Sequence, residues 1–584
     1  MKVQLRTGFQ QQAFQQDASA NSQPLPEFLQ RIYQNRGIYV ADQLHYGLSH
    51  LIPCDQMKNM AQAVALVMAH LQQSILILGD FDADGATSTS LLKLGLEAMG
   101  ANKVSYLVPS RFVSGYGLSP EIAHIIVAQQ PELVITVDNG ITSIAGAAVL
   151  KEAGIRLLIT DHHLPAATLP AADCILNPNQ PGCPFPSKNL AGVGVAFYLL
   201  IALRAQLRQQ AWFLTNAINE PNLAELLDLV ALGTIADLVK LDYNNRILVQ
   251  QGLWRMRTGR IRPGIAALLA SDAQYHKLQH LSSKDIAFSV APKLNAAGRL
   301  DDMSLGINCL LSRSKAEAEL LAAKLDQLNK ERKAIQQHMQ EEALMHLQKL
   351  EQQMIQTKQN NLKGICLHNS SWHQGVIGIL AGKLKEQFGL PAIVFAPAEE
   401  GYLKGSARSI PSLHIRDMLE IIDSKQPELI KKFGGHAMAA GLEIHQEHLA
   451  AFTAAFQQTL DQLLTAEDLQ QTIYHDGVLD AYLLHLNTAR LILQHGPWGQ
   501  GFAEPCFIGT FQIHRLDILA EKHIKLQLVC PDTLCSWTAL AFHADMSQWQ
   551  AAGHCIKIIY QLQINTYQRK ERLQLHVLHL ISTA

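Results

Sequence analysis

The sequence carries little charge of either sign. Of its 584 residues, 17% are Asp, Glu, Lys or Arg, and the formal net charge at pH 7 is −2. Because the chain as a whole is not a polycation, any affinity for nucleic acid must come from local patches of charge. The composition therefore excludes a protein that binds nucleic acid through overall positive charge.

Paired cysteines and long apolar runs are also missing. The nine cysteines include no Cys-x-x-Cys pair, and the closest two are Cys530 and Cys535. Scattered thiols of this kind are typical of reduced cysteines in a cytosolic protein. The apolar runs are far shorter than a membrane span. Residues 1–16 are polar and rich in glutamine, without the apolar segment of a signal peptide. We therefore expect a cytoplasmic protein with no membrane association.

Three short apolar runs each lead into acidic or imidazole side chains. Each run is aliphatic and rich in β-branched residues, which is typical of a buried parallel strand. The side chains that follow the three runs are Asp80, Asp82, Asp84, Asp138, His162 and His163. Functional groups of parallel sheets gather beyond the carboxyl ends of the strands. Unpaired buried charge is costly, so a divalent metal is the simplest neutraliser.

The first half of the chain alternates between strand and helix patterns. Predicted strands lie at about 75–79, 103–108, 132–137 and 155–159, and predicted helices at about 86–99, 119–129 and 142–152. This alternation predicts a parallel sheet with helices on both faces. A further helix from Leu223 leads towards Asp237, which would place one more carboxylate at a helix end as a last metal ligand.

The second half contains three different patterns. Residues 314–358 have helical spacing without Gly or Pro, which predicts a helix of roughly 60 Å. This helix could lie on the surface or form a coiled coil. Its position between two α/β patterns favours a connector between domains. Residues 362–460 form a second α/β region. From about residue 470, short alternating runs predict a small antiparallel barrel or sandwich.

The ordered motifs resemble a known superfamily. Asp-Phe-Asp-Ala-Asp-Gly from Asp80, Val-Asp-Asn-Gly from Val137 and Asp-His-His from Asp161 are similar to motifs of the DHH phosphoesterases. Ser-Trp-His-Gln-Gly-Val-Ile-Gly, Gly-Ser-Ala-Arg-Ser and Phe-Gly-Gly-His-Ala-Met-Ala-Ala-Gly resemble the accompanying DHHA1 domain. Gly496–Phe502 resembles the entry to an OB-fold. Together they resemble the bacterial single-strand-specific exonucleases of the superfamily over about residues 45–580.

The resemblance implies an α/β multidomain protein. The expected parts are an N-terminal extension (1–44), a DHH catalytic domain with a parallel sheet (45–312), a long connecting helix (313–360), a DHHA1 α/β domain (361–465) and a C-terminal OB-like β-barrel (466–584). We expect most aromatic side chains of residues 470–580 to form the core of the last domain, and one or two to stack on bases.

The resemblance also implies a metal site. An oxygen-rich ligand set suits Mg²⁺ or Mn²⁺, and two ions can act together in phosphoryl displacement. Asp138 is expected to bridge the two ions, with Asp84, His162 and Asp237 on one ion and Asp82 on the other. Asp80 and His163 would help directly or by supporting a ligand. Relatives with an upstream histidine ligand carry it where this chain has Leu78, so the second ion would be bound more weakly or held differently. Asp82 and Asp84 have an alternative role as helix caps, and His163 has one as a structural histidine.

Further positions are implied to contact the nucleic acid. Arg111, Ser406 and Arg408 match the family's 5′-phosphate position, and a guanidinium pair with a hydroxyl suits a phosphate. Arg299 would face the catalytic site. Gly434, Gly435 and His436 would approach the DNA backbone, and their alternative role is a tight turn. Arg111 has an alternative role as an ordinary surface arginine.

The implied activity is that of a metal-dependent 5′→3′ exonuclease that hydrolyses single-stranded DNA to 5′-mononucleotides in recombination and repair. Implied partners are a single-strand-binding protein and a RecQ-type helicase, and the expected state is a monomer. One alternative is a phosphodiesterase for cyclic dinucleotides or short oligonucleotides, although such relatives usually lack the connector and the OB-like tail. Another is a non-catalytic replication scaffold, which would be expected to have lost metal carboxylates.

Overall fold

The chain divides into two compact units. The computed structural model describes residues 2–6, 14–15, 24–110, 117–272, 278–357, 362–520, 522–531, 533–567 and 570–583. The first unit comprises Gln4–Gly298, Asp302–Asp326 and Tyr474–Ala584. The second comprises Met1–Val3, Arg299–Asp301 and Gln327–Ile473.

A parallel sheet forms the centre of the first unit. It is preceded by β1 (Lys2–Leu5), α1 (Glu27–Gln34) and α2 (Met60–His70). The strands of the sheet are β2 (Ser74–Leu78), β3 (Lys103–Leu107), β4 (Leu133–Val137), β5 (Arg156–Thr160) and β6 (Cys174–Leu176). Their order is β3-β2-β4-β5-β6, and all four pairings are parallel. Four of the five strands were predicted; β6 has only three residues and gave no pattern.

The helices on the sheet start where their sequences supply caps. α3 (Ala83–Ala98), α4 (Pro120–Gln129) and α5 (Ile144–Glu152) alternate with the strands. Asp82 caps α3 by accepting hydrogen bonds from two backbone amides. Ser119 caps α4, and Pro120 fills its first position. The predicted parallel α/β sheet is therefore confirmed.

Eight further helices complete the part of the first unit that contains the parallel sheet. They are α6 (Gly192–Gln209), α7 (Trp212–Thr215), α8 (Leu227–Ala236), α9 (Tyr243–Arg257), α10 (Pro263–Ala270), α11 (Ser283–Asp285), α12 (Ala291–Leu300) and α13 (Ser304–Leu311). A π-helical turn, Ile286–Val290, joins α11 to α12. The helix predicted from Leu223 begins as a 3₁₀ turn, continues as α8 and ends directly before Asp237.

A long helix follows. α14 (Lys315–Thr357) has 43 residues and is therefore about 65 Å long at 1.5 Å per residue. The division between the two units falls within it, at Asp326 and Gln327. Among the helices of the described residues, none combines the length and apolar character needed to cross a bilayer.

The second unit contains a mixed sheet. Its strands are β7 (Ile365–His368), β8 (Ala392–Pro397), β9 (Tyr402–Arg408), β10 (Lys432–Gly435) and β11 (Ala439–His445). The order is β10-β11-β9-β8-β7, and only β7 and β8 pair in parallel. The helices of this unit are α15 (Ile377–Phe388), α16 (Ile415–Lys425) and α17 (Leu449–Leu463). Phe395, Phe452 and Phe456 lie in its core.

The C-terminal part of the first unit is a closed barrel. β12 (Thr472–His475) pairs with β1, and α18 (Leu486–Gln494) precedes the barrel. The barrel strands are β13 (Phe507–Leu519), β14 (His523–Val529), β15 (Ser536–Ala541), β16 (Cys555–Tyr567) and β17 (Lys570–Thr583), with α19 (Met546–Gln550) between β15 and β16. Their order is β13-β14-β15-β17-β16. The predicted barrel is confirmed, but it is not purely antiparallel, because β15 and β17 pair in parallel. The sequence patterns indicated only β14, β16 and β17.

A buried carboxylate joins the two ends of the first unit. Asp476 has a fully buried side chain, and Arg36 Nη1 donates to it over 2.7 Å. The backbone amide of Cys506 donates to the same carboxylate over 3.1 Å. The Arg36 guanidinium also lies 5.2 Å from the centre of the Trp498 ring. Arg36, just after α1, and Arg6, whose Nη1 is 3.4 Å from the same carboxylate, therefore join the start of the chain to the segment before the barrel.

We expect Asp476→Ala to lower the free energy of unfolding by about 3–5 kcal/mol, because it leaves the buried Arg36 charge uncompensated. Denaturant unfolding followed by tryptophan fluorescence measures the change. Asp517→Ala is the matched control, since Asp517 forms an exposed ion pair with Arg515 in the barrel, and it should cost less than about 1 kcal/mol. Equal stabilities of the two variants would contradict the proposed role of Asp476.

Candidate metal centre

Carboxylates and imidazoles meet beyond the carboxyl ends of β2, β4 and β5. Their possible ligand atoms form three overlapping groups, and within each group these atoms lie within 4.8 Å of one another. The groups are Asp80, Asp82 and Asp138; Asp84, His162 and Asp237; and Asp138, His162 and His163. Asp138 and His162 each belong to two groups. The structure thus brings together all seven of the residues that the sequence placed at the metal site.

The register of the sheet explains this convergence. Leu78 at the end of β2 lies opposite Thr136, and Val137 at the end of β4 lies opposite Thr160. The three strands therefore end at the same edge. Asn139 fixes two of these ends, because its side-chain amide donates to the carbonyls of Leu78 and Val137 over 3.1 and 2.9 Å.

His162 lies at the centre of the cluster. Its Nε2 atom is 3.0 Å from Asp138 Oδ1 and 3.5 Å from Asp237 Oδ2. Asp138 has a φ of 63°, a left-handed conformation that non-glycine residues seldom adopt and that clusters at functional sites. The backbone at the end of β4 is thus set to present the Asp138 carboxylate to its neighbours.

Two backbone arrangements hold the carboxylates that follow β2. Asp82 Oδ1 accepts hydrogen bonds from the amides of Asp84 and Gly85, each 3.0 Å long. The alternative role of Asp82 as a helix cap is therefore present together with its place in the cluster. The Asp84 carboxylate accepts hydrogen bonds from the amides of Gly192 and Val193, over 2.6 and 3.0 Å. The N-terminus of α6 thus fixes Asp84, in agreement with the favourable field at a helix start.

Glycine allows the surrounding helices to approach the cluster closely. A Cβ atom built on Gly192 would lie 2.6 Å from Asp138 Cβ. A Cβ atom on Gly233 of α8 would lie 2.7 Å from Asp84 Oδ1. Real Cβ atoms do not make such contacts, so any larger residue at either position would displace a carboxylate.

Asp161 positions the two histidines. Its Oδ1 accepts hydrogen bonds from the amides of His162 and His163 and lies 2.7 Å from His163 Nδ1. Its Oδ2 accepts one from the Ile141 amide. Burial opposes ionisation of Asp161, but the hydrogen bond with His163 outweighs it and lowers the pKa of Asp161 to about 2. Burial also opposes a charge on His163, and the same bond raises the pKa of His163 to about 9.

The remaining carboxylates repel one another. Burial, followed by the charge of Asp237, raises the pKa of Asp84 to about 7. Burial, followed by the charge of Asp82, raises the pKa of Asp237 to about 7. Burial and the charge of Asp84 raise the pKa of Asp138 well above its usual range. A bound cation would remove this repulsion.

The donor set fits a hard divalent ion. Within the part of the chain that the structure describes, the buried atoms His162 Nε2 and Asp237 Oδ2 have no hydrogen-bond partner. Buried polar atoms are nearly always satisfied, so both atoms are available to a ligand. Carboxylate oxygens with one or two imidazoles, and no thiolate, favour Mg²⁺ or Mn²⁺.

The second unit contains the predicted phosphate-binding residues. Arg408 Nη1 donates to Ser406 Oγ over 3.1 Å and to the Ala407 carbonyl over 2.8 Å. A Cβ atom built on Gly378 would lie 3.0 Å from Ser406 Oγ and 3.1 Å from Arg408 Nη2. The first turn of α15 therefore faces this hydroxyl and guanidinium. A helix N-terminus beside such groups is suited to an anion.

Gly434, Gly435 and His436 lie at a hairpin next to that site. Gly435 has a φ of +142°, and a Cβ atom on it would lie 2.5 Å from Ala440 Cα, so the hairpin itself requires this glycine. His436 donates its amide to the Ala439 carbonyl over 2.8 Å. The alternative role in a tight turn thus accounts for Gly435. It does not explain Gly434 or His436, for which contact with the DNA backbone stays a prediction.

The two other predicted residues lie elsewhere. Arg299 groups with the second unit, where its Nη1 donates to the Gly375 carbonyl over 3.0 Å. Arg111 lies outside the described residues.

Known proteins match the chain along nearly its whole length. Three family models match it: the DHH family, N-terminal domain (residues 74–234), the DHHA1 domain (361–462) and the RecJ OB domain (475–579). The single-stranded-DNA-specific exonuclease RecJ of Salmonella typhimurium is 46% identical over 94% of this chain and 95% of the relative. The chain belongs to the RecJ family. RecJ of Haemophilus influenzae is 47% identical, with 96% of both chains covered.

Solved RecJ structures agree with the fold. RecJ of Thermus thermophilus in complex with Mn²⁺ superposes with a TM-score of 0.76 at 26% identity, covering 98% of this chain and 80% of that one. An exonuclease RecJ bound to manganese gives a TM-score of 0.55 at 30% identity, with 70% and 96% covered. The resemblance inferred from the motifs is therefore confirmed.

Sequence reasoning did not single out the groups that hold the RecJ site in place. They are Asn139, Asp161, Gly192, Val193 and Asn295. Asp161 opens the third motif, and its position before two histidines was a usable signal. The Asn295 side chain accepts a hydrogen bond from the Ala83 amide over 2.8 Å, 212 residues away in the chain. Contacts across such distances leave no local pattern.

We expect Asp161→Ala to weaken Mn²⁺ binding by about 10- to 100-fold, because the two histidines lose their common acceptor. Isothermal titration calorimetry on the purified protein measures the affinity. Asp173→Ala is the control, since Asp173 pairs with Arg156 at the opposite end of β5, and its Mn²⁺ affinity should match the wild type. An Asp161→Ala protein with wild-type affinity would show that the histidines need no such support.

Proposed function

We propose that this protein is a metal-dependent exonuclease that degrades single-stranded DNA from the 5′ end and releases 5′-mononucleotides in recombination and repair. The observation that carries the proposal is the overlap of the three ligand groups at Asp138 and His162. Family membership supports the exonuclease activity and the single-stranded substrate. All the motif carboxylates are present, which argues against a non-catalytic scaffold.

Two Mg²⁺ or Mn²⁺ ions fit the ligand set best. Asp138 is the bridging ligand, because it alone shares a group both with Asp80 and Asp82 and with the histidines. Asp84, His162 and Asp237 would bind one of the two ions, and Asp82 would bind the other. Two bound ions would generate a hydroxide from water and neutralise the charge that develops on the phosphate.

The residues of this chain supply the geometry for that chemistry. The amides of Gly192 and Val193 hold the Asp84 carboxylate, so it needs no rearrangement to act as a ligand. Asp161 orients His163, because its Oδ1 lies 2.7 Å from His163 Nδ1. In this proposal His163 and Asp80 act directly or through a ligand, and Arg299 stabilises charge on the phosphate.

The 5′ end of the strand is assigned to the second unit. Ser406 and Arg408, at the first turn of α15, offer a hydroxyl, a guanidinium and backbone amides to a terminal phosphate. Arg111 is proposed as a third phosphate ligand, and Gly434, Gly435 and His436 as contacts to the next phosphates. These assignments rest on the family resemblance and on the local geometry of β9 and α15.

The remaining proposals concern the cellular context. The resemblance implies a cytoplasmic monomer whose partners are a single-strand-binding protein and a RecQ-type helicase. Light scattering on the purified protein tests the monomer, and co-sedimentation with each purified partner tests the interactions.

The first test of the function changes Asp138. Asp138→Ala removes the shared ligand and should lower the rate of hydrolysis by several orders of magnitude while the fold persists. End-labelled single-stranded and duplex DNA, with and without Mn²⁺, gives the rate, the strand preference and the polarity. The control is Asp173→Ala, which leaves the cluster intact. A folded Asp138→Ala protein with near-normal turnover would rule out the two-ion assignment.

The second test concerns the 5′ end. The wild type should prefer a 5′-phosphorylated strand to a 5′-hydroxyl strand, and Arg408→Ala should remove most of that preference, because the lost contacts are charge-assisted hydrogen bonds. The ratio of kcat/KM values on the two substrates measures it. Lys404→Ala, on the same strand, is the control. Equal losses of activity on both substrates would instead place Arg408 at the scissile phosphate.

A further inference from the structure

The two cysteines that lie closest in the sequence also lie opposite each other in the fold. Cys530 directly follows β14, and Cys535 directly precedes β15. Val529 and Ser536 are register partners in the antiparallel pairing of these strands. One position further along, the backbone amide of Cys530 donates to the Cys535 carbonyl over 2.9 Å. The antiparallel ladder therefore ends with Cys530 and Cys535 as its last pair.

The turn between the two strands fixes the separation of the two cysteine backbones. The Leu534 amide donates to the Cys530 carbonyl over 2.9 Å, and Leu534 has a left-handed φ of 57°. Residues that lie opposite each other in a hydrogen-bonded antiparallel pair have Cα atoms about 5.5 Å apart. The hairpin therefore holds Cys530 and Cys535 close together.

Both cysteine side chains lie on the same face of the hairpin. Because side chains alternate along a strand, Cys530 shares the face of Leu528, and Cys535 shares the face of Trp537. Leu528 and Trp537 are register partners, and both are buried in the barrel. The two thiols therefore lie side by side at the end of the inward face of β14 and β15.

The expected separation of the two cysteines fits a disulfide. Disulfides join residues whose Cα atoms are about 4.4–6.8 Å apart, and a separation of about 5.5 Å lies within this range. Cβ atoms of directly opposite residues are about 4.5–5.5 Å apart, and a disulfide needs about 3.5–4.5 Å. An approach of the two side chains by about 1 Å is therefore sufficient to close the bond.

Exposure distinguishes this pair from the other cysteines. Among the nine cysteines, all of which lie in the described residues, only Cys535 is exposed. Cys174, Cys309 and Cys506 are buried. Burial raises the pKa of Cys174 and of Cys506 to about 11, and that of Cys309 to about 12. Since the thiolate is the reactive form, these three thiols react slowly at neutral pH, whereas Cys535 is accessible to a reagent in solution.

We propose that Cys530 and Cys535 are a reversible dithiol site, which a small disulfide such as oxidised glutathione converts to an intramolecular disulfide. The Cys535 thiolate attacks one sulfur of the reagent and releases one glutathione thiolate. The Cys530 thiolate then attacks Cys535 Sγ in the mixed disulfide and releases the second glutathione thiolate. Two protein thiols are thus oxidised, one small disulfide is reduced, and the two protein protons pass to the two leaving thiolates.

The position of the pair makes the bond reversible. Leu534, in the turn beside it, is 78% exposed, so solvent and reductants have access to this end of the hairpin. Exposed disulfides are readily reduced, and cytosolic disulfides are usually transient. The pair is therefore suited to report the redox state of its surroundings by joining β14 to β15 covalently. This inference goes beyond the exonuclease activity and does not depend on it.

The test treats the native, fully reduced, full-length protein with oxidised glutathione and counts the remaining thiols. The wild type should lose two thiols per chain, and added dithiothreitol should restore both. After cleavage before Asp532 by endoproteinase Asp-N, mass spectrometry should find the peptides of Cys530 and Cys535 joined. Cys555→Ser is the matched control, because Cys555 is a half-buried cysteine at the start of β16, and this variant should lose the same two thiols.

Single serine variants separate the two chemical steps. Cys530→Ser should keep one glutathione on Cys535, because the thiol that would release it is missing. Cys535→Ser should form neither this adduct nor the intramolecular bond. Retention of all nine thiols by the wild type would overturn the inference, and so would a disulfide between any other two cysteines. A stable glutathione adduct on Cys535 of the wild type would also overturn it. All three outcomes leave the proposed exonuclease activity unaffected.

Discussion

The mutual repulsion of buried carboxylates is the constraint on which the structure depends. Three parallel strands end at one edge, and each delivers an acidic or imidazole group to the same small volume. Such a cluster is unfavourable without a cation. Backbone amides, a strained φ angle at Asp138 and two close-packed glycines hold its side chains in position. The stability lost there has to be regained elsewhere, in the apolar strands behind the cluster.

The groups that hold the metal ligands in position have little conformational freedom. The N-terminus of α6 fixes Asp84, the side chain of Asn139 connects the ends of β2 and β4, and Asp161 holds both histidines. Each support is a backbone or short side-chain contact with little rotational freedom. A preorganised site of this kind needs little reorganisation when charge develops on a substrate.

Much of the fold and the ligand set could be predicted from the sequence, since the relevant signals are local. β2, β4 and β5 are aliphatic runs that end in charged residues, and Asp237 follows an apolar helix. The support from α6 could not be predicted, because Asp84 and Gly192 are 108 residues apart and nothing near either residue encodes the contact. β15 was missed because its apolar pattern is weak: the small side chains of Ala539 and Ala541 are buried, and the larger Leu540 is on the other face.

The pairing of Arg36 with Asp476 has a consequence for biosynthesis. The two residues are 440 positions apart, and a ribosome adds about 5–20 residues per second. Arg36, just after α1, is therefore without its partner for tens of seconds, until long after the parallel sheet has been synthesised. During that time its guanidinium cannot be buried beside the Trp498 ring, which has not yet been made. Completion of the first unit therefore has to follow synthesis of the segment that contains Asp476 and Trp498.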